Sequence, residues 1–69
     1  MQRLIYNKYQ NTVSLTDDSG LIITIEGVHS VDYTDKLYSV MVLPQGTSRL
    51  ISVLRVPVGR TNYILENFN

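Results

Sequence analysis

Sixty-nine residues without a cysteine allow one small domain, with neither a disulfide nor a thiolate metal site to reinforce its core. Six basic side chains balance six acidic ones, which removes the broad positive field of a general nucleic-acid binder and weakens any case for an anionic membrane surface. The longest uninterrupted apolar run, residues 40–43, is far too short to span a bilayer, and the N-terminus lacks a secretory pattern, so a cytoplasmic protein is expected.

Short runs rich in Val, Ile, Thr and Tyr, separated by Gly, Pro and Asp, predict strands over residues 3–9, 12–17, 21–33, 37–43, 47–58 and 61–68. Between the second and third, Asp18-Ser19-Gly20 has the chemistry of a three-residue hairpin loop, with glycine in the left-handed position. That loop pairs Leu15 with Ile23 and Val13 with Ile25, and puts Ser14, Thr16 and Thr24 on the opposite face. Residues 21–33 alternate well, and Gly27 in their middle predicts a bend or bulge that lets one long strand serve two sheets or close a barrel.

Tyr33, Leu37, Val40 and Met41 also sit at helical spacing behind a capping Thr34. Val, Ser and Tyr are mediocre helix formers and the segment is short, so a strand is the better reading. Pro44-Gln45-Gly46 repeats the three-residue logic and predicts Val40 opposite Leu50 and Leu37 opposite Val53. Gly59-Arg60 fits a two-residue type II′ turn that pairs Val58 with Thr61, Val56 with Tyr63 and Leu54 with Leu65. Pro57 cannot donate to a ladder, so its end of the strand belongs at an edge or beside the turn. The expected fold is therefore all-β: a small antiparallel barrel or sandwich of five or six strands, built as a meander of hairpins, with dimerisation as one way to complete it.

Little in the chain suggests catalysis. His29 is the only histidine, no nucleophile-elbow pattern surrounds any serine, and neither a metal nor a cofactor is implied. The plain reading of His29 is a hydrogen-bonded ring on the inner face. Asp17 and Asp18 are explained as turn initiators, because aspartate accepts backbone hydrogen bonds there. Gly20, Gly27, Gly46 and Gly59 stand one per turn or bulge and form no phosphate-binding loop. Tyr6, Tyr38 and Tyr63, with Arg3, Lys8, Lys36, Arg49, Arg55 and Arg60, would suit a stacking platform for single-stranded nucleic acid. Tyrosine is equally a favoured strand residue, and the basic side chains are dispersed among acidic ones.

The meander register makes the sheet of residues 37–68 apolar on both faces. Its second face would carry Leu37, Met41, Ile51, Val53, Ile64 and Phe68, edged by Arg49 and Arg55. Such a patch is either covered core, wrapped by the long bent strand, or a contact surface for a protein partner or a second copy of the chain. The expected function is a non-catalytic protein-interaction module that occludes or bridges a partner. The alternatives are a small barrel binding single-stranded nucleic acid and a structural subunit of a homo-oligomer. Length and lack of chemistry would also suit a viral or mobile-element accessory protein acting as an inhibitor of a host protein.

Overall fold

The turn at residues 17–20 closes as its chemistry predicts. The Asp17 carbonyl oxygen accepts the Gly20 N–H at 3.0 Å, Gly20 sits at φ +85°, and Asp17 Oδ1 accepts the Ser19 N–H at 2.9 Å. The computed structural model describes residues 1–20 and 22–66, and these form an all-β fold of seven strands. In chain order they are β1 (Gln2–Asn7), β2 (Thr12–Thr16), β3 (Ile22–Ile25), β4 (Val28–Thr34), β5 (Leu37–Val42), β6 (Ile51–Pro57) and β7 (Thr61–Glu66). Val13 faces Ile25 and Leu15 faces Ile23, as the turn dictates.

Gly27, at φ +69°, breaks the long third run in two. β3 completes a four-stranded sheet in the order β3-β2-β1-β7, and β4 opens a three-stranded sheet in the order β4-β5-β6. The glycine thus serves two sheets, and the strand count rises from the expected five or six to seven. The next link, Asp35-Lys36, has both residues at positive φ (51° and 61°), so it is a two-residue type I′ hairpin that pairs Thr34 with Leu37. The left-handed region costs a side chain such as Lys36 about 1–2 kcal/mol. The fold accepts this where Gly is the usual choice.

Two expected registers are overturned. The turn at residues 44–47 forms, with the Thr47 N–H and hydroxyl both donating to the Pro44 carbonyl oxygen at 3.1 and 2.9 Å. It lies within a longer connection, however, and does not close the hairpin. Val40 faces Leu54 and Leu37 faces Pro57, in place of Leu50 and Val53. The reason is the core: the tighter register would set Ser52 beside Tyr38, whereas the observed one brings Val56 there. At Gly59 no type II′ turn occurs. Val58–Arg60 forms one 3₁₀ turn, closed by the Thr61 N–H on the Val58 carbonyl oxygen, and the chain crosses to the other sheet.

β7 then runs parallel to β1, with Leu4 beside Tyr63 and Tyr6 beside Leu65. The expected all-antiparallel meander thus gives way to one with a parallel closing pair. The physical cause is the burial of β1. Leu4 and Tyr6 are 0% and 6% exposed, and a strand buried that deeply needs a neighbour on each side. β2 supplies one and β7 the other.

The two sheets share one cluster of buried side chains. Leu4, Tyr6, Val13 and Leu15 come from the four-stranded sheet and Val28, Val40 and Val56 from the three-stranded one. Ile25, Val31, Tyr38, Leu54 and Tyr63 pack around them. Ser14, Thr16 and Thr24 alternate with the buried positions and face outward, as the first turn requires.

Candidate interaction surface

The departure of β7 leaves β6 as an open edge of the three-stranded sheet. Along β6 the ladder to β5 shifts between Val40 and Met41, which face Leu54 and Ser52, so Val53 is bulged out of register. The following stretch to Pro57 regains alternation, with Val56 buried and Arg55 exposed. The bulge and the proline both blunt this edge against addition of another strand.

Four aliphatic side chains near the end of β5 and the start of β6 are exposed. Leu43 is 45% exposed, Leu50 39%, Ile51 43% and Val53 44%, values that set them apart from the buried cluster a few residues along the same strands. Met41 on β5 is half-buried, and Arg49 and Arg55 are exposed. Met41 lies opposite Ser52 and Ile51 opposite Val42, Arg55 lies further along β6 opposite Ser39, and Arg49 precedes the strand. Leu37 is half-buried at the far end of β5, opposite Pro57. Ile64 stands on β7 in the other sheet, beside Ile5, and Phe68 lies outside the described residues. Leu43 and Leu50 are the members that sequence reasoning missed. The signal was present: an apolar run ending directly at Pro44, where a turn should be flanked by polar residues.

A furrow on the same sheet is lined by Thr34, Asp35, Leu37, Ser39, Ser52 and Arg55. The buried Ser52 hydroxyl has no hydrogen-bond partner among the described residues. It is a polar group that an occupant of the furrow could satisfy.

His29 is not the packed inner-face residue the alternation suggested. The break at Gly27 shifts the alternation so that Val28 is buried and His29 faces solvent, while the His29 carbonyl oxygen accepts the Tyr6 hydroxyl at 3.3 Å. Asp17 and Asp18 act in the turn: Asp17 Oδ1 also accepts the Ser19 hydroxyl at 2.6 Å, and Asp18 pairs with the Met1 ammonium.

The tyrosines are placed chiefly by packing. Tyr6 is buried, and Tyr38 packs between Tyr33 and Tyr63 with ring centroids 5.9 and 5.0 Å away. Burial, with smaller contributions from Tyr6 and Tyr38, raises the Tyr63 phenol above its ordinary value. Of these four rings only Tyr33, 64% exposed, offers a broad open surface. Among the described residues no helix is long and apolar enough to cross a membrane. Comparison with protein-family models, curated proteins and solved structures finds no match to this chain.

Proposed function

We propose that this chain is a non-catalytic protein-interaction module, a two-layer β-sandwich that occludes or bridges a partner through the surface at the start of β6. The observation that carries this reading is the exposure of Leu43, Leu50, Ile51 and Val53, each 39–45% open to solvent near the end of β5 or the start of β6. Central apolar side chains with arginines at the rim are the usual anatomy of a binding patch. Because the bulge and Pro57 blunt the edge, contact runs through side chains and not through an added strand. The complementary surface is a folded protein with an apolar centre and carboxylates facing Arg49 and Arg55.

The shared core supports the two-layer form: both sheets contribute buried side chains to it, and among the described residues no ladder joins β6 to β7. The test uses Ile51→Asp on the intact chain, with Ile64→Asp as a control on the other sheet. Both variants should remain folded by circular dichroism. A saturable complex recovered on the immobilised wild-type chain should weaken about tenfold or more with Ile51→Asp and persist with Ile64→Asp. Unfolding of Ile51→Asp, or a complex indifferent to it, would overturn the proposal.

A further inference from the structure

The fold leaves four strands at sheet edges: β3 and β7 in one sheet, β4 and β6 in the other. Stable proteins blunt such edges with charges, prolines or bulges, because an unpaired row of N–H and C=O groups recruits other strands. β6 has its bulge, Arg55 and Pro57. β4 has a bulge at His29 and carries Asp32, and β7 ends on Glu66. β3 has none of these devices. It reads Ile22-Ile23-Thr24-Ile25, and its ladder to β2 runs without a break from Val13–Ile25 to Thr16–Ile22. Ile22 and Ile23, on opposite faces, are 63% and 47% exposed.

The geometry points to a second copy of this chain as the occupant: β3 pairs antiparallel with the partner's β3 about a two-fold axis at Thr24. Ile23-Thr24-Ile25 reads the same in both directions. Successive side chains point to opposite faces, so a two-fold normal to the sheet keeps inner faces together only when it passes between identical residues. Centred on Thr24, the pairing sets Ile25 opposite the partner's Ile23. The inward row then continues Val13, Ile25, the partner's Ile23 and the partner's Leu15. The outward row becomes Ser14, Thr24, the partner's Thr24 and the partner's Ser14. Apolar meets apolar and hydroxyl meets hydroxyl, the pairs that stabilise antiparallel neighbours. With zero formal net charge, two copies do not repel one another. The product is one eight-stranded sheet made of two four-stranded halves. This interface is independent of the surface at β6.

A charge swap at the axis tests the pairing. Thr24 is exposed, so Thr24→Lys and Thr24→Glu should each leave the protomer folded. Either variant alone places like charges directly opposite each other and should weaken association at least about tenfold by sedimentation equilibrium. Mixing the two should restore a dimer, identified by native mass measurement as one copy of each. Ile51→Asp should dimerise like the wild type. A wild-type chain that stays monomeric at high concentration would overturn the inference. So would single variants that dimerise undiminished, a mixture that fails to recover, or loss of the dimer on Ile51→Asp.

Discussion

Leu4→Ala is expected to remove a large fraction of the stability of this protein. Leu4 is fully buried in β1, flanked by Leu15 on β2 and Tyr63 on β7. Truncating a buried leucine to alanine costs about 2–5 kcal/mol, because the lost transfer energy is joined by the cavity left behind. A chain of 69 residues has roughly 3–10 kcal/mol in total at ordinary per-residue values. The substitution therefore consumes a large fraction of the whole, and the denaturant midpoint should fall steeply with little change in slope. An unchanged midpoint would mean that β1 is not the centre of the core.

A second large effect separates two residues of the same strand. Val56, 4% exposed and opposite Tyr38, belongs to the buried cluster, whereas Ile51 begins the strand at 43% exposure. Val56→Asp would bury a carboxylate among apolar side chains with no partner, a penalty of several kcal/mol that this small fold cannot absorb. The same replacement at Ile51 leaves the charge in water and should change stability by no more than about 1 kcal/mol. Thermal unfolding of dilute protein reads both. Val56→Asp should be unfolded or nearly so at room temperature, with Ile51→Asp close to the wild type. Equal losses at the two positions would contradict the placement of Val56 in the core and Ile51 at the surface.

Features set by local backbone chemistry were legible in the sequence. The aspartate-initiated turn at residues 17–20 fixed the β2–β3 register, and Gly27 marked the bend between sheets. Pro57 was placed correctly on an edge strand. Features set by competition for the core were not. Residues 44–47 do turn, but whether that turn closes the hairpin depends on whether Ser52 or Val56 lies beside Tyr38, a choice the turn does not encode.

The crossing of β7 is still less local. It follows from the need of β1 for a second neighbour, and the two strands stand at opposite ends of the chain. His29 falls on the other face because the break at Gly27 shifts the alternation by one residue, and the glycine marks the break without giving the size of the shift. For the candidate surface, apolar excess on a strand with an arginine border pointed to Met41, Arg49, Ile51, Val53 and Arg55, of which all but Met41 are exposed. Ile64 joined them through the hairpin at Gly59 that the crossing of β7 replaces, and Leu37 through the tighter β5–β6 register that the longer connection replaces.

That crossing underlies the rest, since it both completes the sheet around β1 and exposes the edge at β6. Backbone nuclear Overhauser contacts on uniformly labelled protein read it directly. Parallel contacts are predicted between Leu4 and Tyr63 and between Tyr6 and Leu65, with none between β6 and β7. Antiparallel contacts from Val56 to Tyr63 and from Leu54 to Leu65 would restore the hairpin at Gly59 and contradict the account.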